Sequence, residues 1–243
     1  GEPGGGVTIR VRGSNSIRSG QDPLYVVDGV PFDASEDQQP SGASLSGIGR
    51  LHLIKRNFAV FDNTNLAHLG DLKIDSVGGN MTIGANQVLG DLLGLDSLRY
   101  VGGFVNIANN ATMPDLLGLD SLRVIGGILS ITGNTSMTGI SGLVALDSIM
   151  GDLLIMGNSS LSDILGLDSL SFIGGEYNVT ENPELTSLPL TIALDSIGGH
   201  LTISANASLG DLTGLDSLRA MGGYMQIINN ESLTSLAGLD SLR

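Results

Sequence analysis

The strongest constraint on this chain is a 24-residue repeat that runs through its last three quarters without an insertion or a deletion. Asparagine marks the repeat by returning at the same interval at Asn86, Asn110, Asn134, Asn158, Asn182, Asn206 and Asn230. A fixed period of this length is typical of a solenoid, in which each repeat forms one coil that stacks on the next. Residues that are 24 positions apart are therefore expected to lie directly above one another.

The pattern within one repeat predicts a coil that contains a short strand. Val105 and Ile107 alternate with outward positions, which is typical of a strand with one buried face. After the asparagine the apolar period becomes three, at Met113, Leu116 and Leu119. This spacing suits 3₁₀ turns or extended segments and not an α-helix. We therefore expect one strand per coil, three further apolar-lined sides, and a parallel sheet of stacked strands.

Two polar features of the repeat carry structural expectations. Stacked asparagine side chains can hydrogen bond to the backbone and to one another, so the seven asparagines are predicted to form a buried ladder. A Gly-Gly pair precedes most of the strands, as at Gly102 and Gly103. This pair predicts a bend with a positive φ angle before each strand.

The outward positions of the predicted sheet are the candidate binding surface, because they vary while the inward positions do not. Aromatic side chains are enriched at binding surfaces, and polar amides beside them suit a carbohydrate or a protein loop. The predicted binding residues are Phe104, Asn106, Glu176, Asn178, His200, Thr202, Tyr224 and Gln226. The alternative is that a solvated sheet face has simply varied without selection for a ligand.

Aspartate recurs in two further phases of the repeat, and two explanations are open. The phases are Asp96, Asp120, Asp168, Asp216 and Asp240, and Asp91, Asp115, Asp163 and Asp211. The first explanation is capping of backbone N–H groups in the Leu-Asp-Ser-Leu turns, with Arg99, Arg123 and Arg219 three residues further on. The second is calcium binding, although the spacing lacks the known calcium-binding patterns, and no metal site is assigned.

Composition and motifs exclude several classes of function. Residues 1–57 carry six of the 11 Lys and Arg and six of the 25 Asp and Glu, so all of the net charge of −14 lies in residues 58–243. Such a surface repels phosphate backbones, so nucleic acid is not expected as a partner. The chain has no cysteine, and His52, His68 and His200 fall in no metal motif. No cofactor fingerprint or catalytic motif is present, and an enzyme is not expected.

The repeat also carries a family resemblance. The pattern Ile-Gly-Gly-x-Leu-x-Ile-x-x-Asn followed by leucine at every third position resembles the receptor L domain, the leucine-rich solenoid of insulin- and EGF-receptor ectodomains. The match covers residues 58–243. It implies a mainly β, right-handed parallel β-solenoid of seven to eight coils and a role in recognition. The ligand residues of that family have no matching positions in this sequence.

The first 57 residues resemble a different family. Val7, Ile9 and Val11 alternate with polar residues as in a strand, and Leu24 to Val30 is a second β-rich run. Residues 4–13, 16–17, 22–33 and 48–61 are similar to the plug domain of TonB-dependent outer-membrane receptors of the starch-utilisation type. Residues 34–49 are rich in Ser, Gly, Gln and Asp and indicate a flexible loop. The resemblance implies a Gram-negative cell envelope, with an outer-membrane barrel in the full-length protein.

Both boundaries of the solenoid leave alternatives open. Phe58, Val60 and Asn63 match Met81, Ile83 and Asn86 at an offset of 23, so residues 58–69 are either a plug strand or a degenerate first coil. The sequence ends in mid-repeat at Arg243. Either the natural protein continues, or the uncapped last coil pairs with a second chain in a dimer.

Together these observations favour a non-catalytic module that recognises a protein or a carbohydrate. They place the module in a TonB-dependent nutrient receptor or a related cell-envelope protein. The alternative is an adhesive or structural leucine-rich spacer at the cell surface that has no small ligand.

Overall fold

The computed structural model describes residues 25–27, 30–32, 51–53, 57–70, 72–189 and 194–243. For the three segments before residue 57 we describe the backbone alone. The predicted strand at residues 7–11 and the predicted loop at residues 34–49 lie outside the described residues, as does most of the plug-like segment.

The repeated strand stacks into a parallel sheet, as the alternation predicts. We call it the long-strand sheet, and its members are β4 (Phe58–Phe61), β6 (Met81–Gly84), β8 (Val105–Ala108), β10 (Leu129–Thr132), β12 (Leu153–Met156), β14 (Tyr177–Thr180), β16 (Leu201–Ser204) and β18 (Met225–Ile228). From β6 onward each strand pairs with the next at an offset of 24 residues, as Leu129 does with Leu153. The chain is therefore a parallel β-solenoid, which confirms the predicted fold class.

A second parallel sheet runs alongside the first, and here the expectation of one strand per coil was wrong. This short-strand sheet contains β3 (Leu51–Leu53), β5 (Ile74–Val77), β7 (Tyr100–Val101), β9 (Val124–Ile125), β11 (Ser148–Ile149), β13 (Phe172–Ile173), β15 (Ser196–Ile197) and β17 (Ala220–Met221). Most of these strands have two residues, which is too short for an alternating pattern to show. They are strands only because neighbouring coils supply their hydrogen-bond partners.

The interior is a single apolar column that the coils build together. Inward side chains such as Leu116, Leu119 and Leu122 are fully buried. The backbone N–H of Leu122 donates to the carbonyl of Leu119 (2.8 Å), and Leu119 donates in the same way to Leu116 (3.2 Å). These i to i+3 bonds explain the period of three, since each successive turn returns a leucine to the interior. One such turn forms a 3₁₀ helix at Ser141–Leu143.

The asparagines form a continuous hydrogen-bonded column beside the long strands. In each step one side-chain oxygen accepts two bonds from the asparagine of the preceding coil. Asn158 Oδ1 accepts from the backbone N–H of Asn134 (3.0 Å) and from its Nδ2 (3.3 Å). Asn134 Nδ2 also donates to the carbonyl of Ile107 (2.9 Å). We call the column the Asn ladder, and it contains Asn63, Asn86, Asn110, Asn134, Asn158, Asn182, Asn206 and Asn230.

The Gly-Gly pairs serve close packing, so the expectation of a positive φ at these positions was wrong. None of the described pairs has a residue in that region. A Cβ atom on Gly126 would lie 2.3 Å from the carbonyl oxygen of Gly102 in the coil below, and one on Gly174 would lie 2.2 Å from that of Met150. Glycine is required here because the backbones of adjacent coils approach too closely for a side chain.

Positive φ angles occur instead at the residue before each ladder asparagine. Six of these residues are not glycine, and they are Asp62, Ala85, Asn109, Glu181, Ala205 and Asn229, with φ between 54° and 60°. The other two are Gly133 and Gly157, both at 65°. A left-handed conformation costs a non-glycine residue about 1–2 kcal/mol. The strand must turn in this way to aim every asparagine along the column.

The junction before the repeats belongs to the solenoid. Phe58 pairs with Met81 and Val60 with Ile83, at an offset of 23, so residues 58–69 are a first coil and the long-strand sheet has eight strands. The short-strand sheet begins earlier still, at β3, which pairs with β5. Upstream, β1 (Tyr25–Val27) and β2 (Val30–Phe32) form a separate antiparallel pair around Asp28-Gly29, a dipeptide that favours a two-residue hairpin turn.

Candidate binding surface

The predicted binding residues lie on the outward side of the long-strand sheet, which we call the outward face. Because strand residues alternate, the buried Val105 and Ile107 place Phe104 and Asn106 on the opposite side of β8. Phe104 is 39% exposed and Tyr224 is 56% exposed. Thr202 is 8% exposed and contributes to this surface through its hydrogen bond more than through its area.

Four residues of the outward face form a hydrogen-bonded polar group. Glu176 Oε1 accepts from Asn178 Nδ2 (3.1 Å) and from Thr202 Oγ1 in the next coil (3.0 Å). Asn178 Oδ1 in turn accepts from Thr180 Oγ1 (2.6 Å). These bonds restrict the side chains to one arrangement, which lowers the entropy that a ligand would have to remove on binding.

His200 and Tyr224 extend this polar group into the next two coils. Their rings stack with centroids 3.8 Å apart and an angle of 19° between the planes. The backbone N–H of Tyr224 donates to His200 Nδ1 (3.0 Å). Because that nitrogen accepts, the proton of a neutral His200 is on Nε2, which leaves one ring N–H available as a donor.

The eight predicted binding residues do not form one site. Phe104 and Asn106 are three coils from Glu176, a separation of about 14 Å at the usual spacing of sheet strands. The structure brings together Glu176, Asn178, His200, Thr202 and Tyr224, and Gln226 lies beside Thr202 on β18. Phe104 belongs to a different cluster.

That cluster is an apolar strip, which the sequence reasoning missed as a unit. It follows the corner between the two sheets over four successive coils, and its exposed members are Tyr100 (44%), Phe104 (39%), Ile128 (37%), Met150 (48%) and Phe172 (38%). Val124 pairs with Tyr100 and fills the position between the coils. The Tyr100 ring leans over the glycine corner, since a Cβ on Gly102 would lie 3.3 Å from its Cε1.

The sequence did contain a sign of this apolar strip, because some of its residues differ from the residue types found at the equivalent positions of other repeats. Met150 stands where the equivalent residues are glycine, and Tyr100 and Phe172 share a column with Ser148 and Ser196. Each exception looks minor alone, because the columns are separate in sequence. The glycines at this corner leave no side chain between the columns in most of the coils.

Two arginines lie at the margin of the strip. Arg99 and Arg123 precede Tyr100 and Val124 in adjacent coils, and both are exposed. Neither forms an ion pair with another described residue, whereas Arg219 lies 3.5 Å from Asp195. The aspartates of the two phases therefore form no salt bridge with the arginines that follow three residues later.

Aspartates of both phases accept hydrogen bonds from backbone N–H groups, as the capping explanation predicts. Asp96 Oδ2 accepts from the N–H of Gly94 (2.8 Å), and Asp120 and Asp216 repeat this contact with Gly118 and Gly214. In the other phase Asp163 Oδ1 accepts from Leu165 N–H (3.2 Å). Across residues 57–243, apart from the gaps, no three His, Cys, Asp or Glu side chains are placed to hold a metal ion.

One aspartate of the second phase has a shifted pKa. Asp211 Oδ1 accepts from both the hydroxyl and the backbone N–H of Thr213. These two bonds hold the pKa of the Asp211 carboxyl below its usual value, because they favour the charged form.

An open groove of about 490 Å³ lies at the N-terminal coils, where it is lined by His68, Leu72, Lys73, Asp91, Leu93 and Asp96. His68 Nδ1 is 3.3 Å from Asp91 Oδ2, and the His68 side chain is 70% exposed. An exposed pair of this kind contributes little stability. Its carboxylate is shared with the backbone N–H of Leu93, which assigns Asp91 a role in the turn.

Comparison with known proteins adds no family. No family model, no curated protein and no solved structure matches this chain. Among the described residues, no helix has the length and the apolar character that crossing a membrane requires.

Proposed function

We propose that this chain is a non-catalytic recognition module that binds a partner through the apolar strip and the outward face. The observation that carries the proposal is the strip itself. Five large apolar side chains, each more than a third exposed, occur in four successive coils at the corner between the two sheets. Contiguous apolar patches of this kind mark interaction sites in soluble proteins.

The composition of the strip favours a protein partner. Aromatic residues, methionine and arginine are the types enriched at protein interfaces, and tyrosine and arginine often supply most of the binding energy. Tyr100, Phe104, Met150 and Phe172 provide the apolar area, and Arg99 and Arg123 stand at its margin. A partner segment with apolar side chains and nearby carboxylates would complement both features.

The polar group on the outward face supports a carbohydrate as the second candidate ligand. Glu176, Asn178 and Thr202 are ordered by their own hydrogen bonds. Beside them, Tyr224 offers an exposed ring and His200 offers an N–H donor. A sugar would complement these groups, because its hydroxyl groups donate and accept hydrogen bonds and the apolar face of its ring can stack on an aromatic side chain.

The cellular setting of the proposal comes from the sequence resemblance. Residues 4–13 and 22–33 are similar to the plug of TonB-dependent outer-membrane receptors, so we place the module in the envelope of a Gram-negative bacterium. There it would present its solenoid to a nutrient or to a partner protein. Fractionation of cells that express the full-length gene tests this, and recovery outside the envelope would contradict it.

The binding proposal is tested with a matched pair of variants. The strip variant carries Tyr100→Ser, Phe104→Ser, Met150→Gly and Phe172→Ser. The control variant carries Leu93→Ser, Leu117→Ser and Leu165→Ser, which remove three leucines of similar exposure (45–50%) from another side of the coil. Each protein is used in a pull-down from envelope extracts and on a glycan array.

A partner that the parent chain and the control variant retain and the strip variant loses supports binding at the apolar strip. A glycan bound by the parent and lost on Tyr224→Ser supports the outward face instead. If the pull-down and the array are both empty for the parent chain, the recognition proposal fails. The adhesive or structural spacer is then the better description.

A further inference from the structure

The residue directly before each long strand carries a backbone N–H that takes no part in the sheet. In four cases a side chain at the equivalent position of the preceding coil accepts a hydrogen bond from it, and we call these side chains the corner acceptors. The pairs, acceptor first, are Asn57 Oδ1 with Asn80 (2.8 Å), Asn80 Oδ1 with Phe104 (3.1 Å), Asp152 Oδ1 with Glu176 (2.8 Å) and His200 Nδ1 with Tyr224 (3.0 Å).

The glycine before each of these N–H groups provides the space for the acceptor. A Cβ atom on Gly103 would lie 1.9 Å from Asn80 Oδ1, and one on Gly175 would lie 2.0 Å from Asp152 Oδ1. Each corner acceptor therefore lies over the glycine of the next coil, at a position that any side chain on that glycine would fill.

The column of corner acceptors is interrupted at the apolar strip. Phe104 and Ile128 occupy the acceptor position in two successive coils, and neither side chain can accept a hydrogen bond. The backbone N–H groups of Ile128 and Asp152 consequently have no hydrogen-bond partner within the described part of the chain. Only backbone atoms are nearest to a Cβ placed on Gly127, so no side chain lies over it. The N–H of His200 is a further gap, outside the strip.

The interrupted coils also carry the two arginines at the margin of the strip. Arg99 precedes Phe104 in one coil, and Arg123 precedes Ile128 in the next. Residues 58–243 contain only five Lys and Arg in total, so two of them at one site is a local excess of positive charge. Unpaired N–H donors and nearby cations both favour an acceptor that carries negative charge.

We infer that the partner bound by the apolar strip is a protein segment that places an Asp or Glu carboxylate over Gly127, where it accepts from the backbone N–H of Ile128. This inference rests on the proposed recognition function. The carboxylate takes the place that Asn80 Oδ1 occupies one coil earlier. Apolar residues beside it cover the strip, and the hydrogen bond fixes the register of the segment, because burying the N–H without an acceptor would be costly.

Amide hydrogen exchange in the free chain tests the donors. We expect the N–H groups of Ile128 and Asp152 to exchange at least about 10-fold faster than those of Phe104 and Glu176, since exchange of a hydrogen-bonded amide requires local opening. The latter two are bonded to corner acceptors. Equal protection of the four groups would mean that Ile128 and Asp152 already have acceptors, and it would overturn the inference.

The chemistry of the partner is tested with random peptides of about 12 residues, long enough to cross the strip. The peptides are displayed on phage and selected on the parent chain. We expect the enriched sequences to combine Asp or Glu with adjacent apolar residues, and the selected peptide to slow amide exchange at Ile128. Enriched sequences without an acidic residue, or a selection that yields no peptide, would contradict the inference.

Two substitutions of Phe104 separate the hydrogen bond from the apolar contact. Phe104→Asn supplies the acceptor that Asn80 supplies one coil earlier, whereas Phe104→Ala removes the same ring and supplies none. We expect slower exchange of the Ile128 N–H in free Phe104→Asn. We expect the selected peptide to bind this variant at least about 10-fold more weakly than Phe104→Ala, because a hydrogen bond to a charged acceptor contributes that much.

Equal affinities of the peptide for the two variants would overturn the inference. Recognition at the strip would still stand in that case, provided that the strip variant described above loses the peptide. The pull-down and the glycan array test the recognition proposal separately, so its failure is distinguishable from a failure of the carboxylate assignment.

Discussion

Asn134 and Asn158 occupy equivalent positions in successive coils, and the Oδ1 atom of Asn158 accepts both the backbone N–H and the side-chain N–H of Asn134. Both residues are fully buried. One oxygen therefore satisfies two donors that water cannot reach, and the contact is repeated along the whole solenoid.

Replacing Asn158 should be costly for this reason. Asn158→Ala leaves two donors of Asn134 without an acceptor and frees the carbonyl of Ile131, which Asn158 Nδ2 contacts at 3.0 Å. Each buried group left unpaired costs about 1–3 kcal/mol. We expect a lower free energy of unfolding by at least about 2 kcal/mol in urea denaturation followed by circular dichroism. Asn106→Ala on the outward face is the control, and equal effects of the two changes would argue against the ladder.

Removing the hydroxyl group of Tyr177 should stabilise the fold. Its ring fills an inward position with no exposure, and its hydroxyl has no hydrogen-bond partner within the described residues. An unpaired buried hydroxyl costs about 1–3 kcal/mol. Tyr177→Phe keeps the ring and removes the hydroxyl, so we expect a higher Tm by thermal denaturation. A Tm below that of the parent would indicate an unseen partner for the hydroxyl.

The same residue predicts a pH dependence. Burial raises the pKa of the Tyr177 hydroxyl above its usual value because the charged form is poorly solvated in the core. The folded state therefore holds the proton that the unfolded chain releases near pH 10. This contribution to stability is complete below about pH 10 and falls as the pH rises further toward the folded-state pKa. Urea midpoints between pH 8 and 11 should drop more steeply for the parent chain than for Tyr177→Phe, and parallel curves would contradict the assignment.

The cost of the left-handed conformation before each ladder asparagine can be measured at a position where an added methyl group contacts no other atom. Gly157 has a φ of 65°, and a Cβ placed on it would have no atom within 4 Å. Gly157→Ala should therefore cost about 1–2 kcal/mol from backbone conformation alone. Gly210 is equally open and has no positive φ, so Gly210→Ala should be neutral or stabilising by up to about 1 kcal/mol. Denaturation of the two variants in parallel measures the difference, and a neutral Gly157→Ala would remove the conformational argument.

A core substitution tests the stacking of the coils. Leu146 is fully buried between equivalent leucines of the coils on either side. Leu146→Ala should lower the free energy of unfolding by about 2–5 kcal/mol, because the stacked coils can collapse only partly into the cavity. Leu117→Ala, at a position that is 47% exposed, is the control for the same chemical change. Similar losses at the two sites would be incompatible with a dry interior.

The 24-residue period predicted some features of the fold and not others. Inward leucines and the asparagine column were predictable, because residues with the same phase must share the same environment in a stack. The second sheet was not, since a strand such as Tyr100–Val101 is defined by its neighbours in other coils. A positive φ was expected at the glycine pairs and occurs instead before the asparagines. The glycine pairs are required because the backbones of adjacent coils approach closely there.

The binding surface shows the same division at the level of side chains. Outward positions on the long strands follow from alternation, so Phe104, Glu176 and Tyr224 were placed on the right face. Their grouping was not predictable, because the bond between Glu176 and Thr202 and the ring stack of His200 on Tyr224 depend on rotamers. The apolar strip combines three different columns across the glycine corner, and no single column contains it.

The sequence by itself determined the stack, because a 24-residue period with an asparagine and inward leucines in constant phase has one compact solution that satisfies its polar groups. The tertiary structure alone decided which outward residues are neighbours and where the backbone strain lies. It also decided that the inward side chains of the first coil are buried while those of the last coil are partly exposed. Those features depend on distances between residues that no local pattern relates, and packing sets them only once the coils are in place.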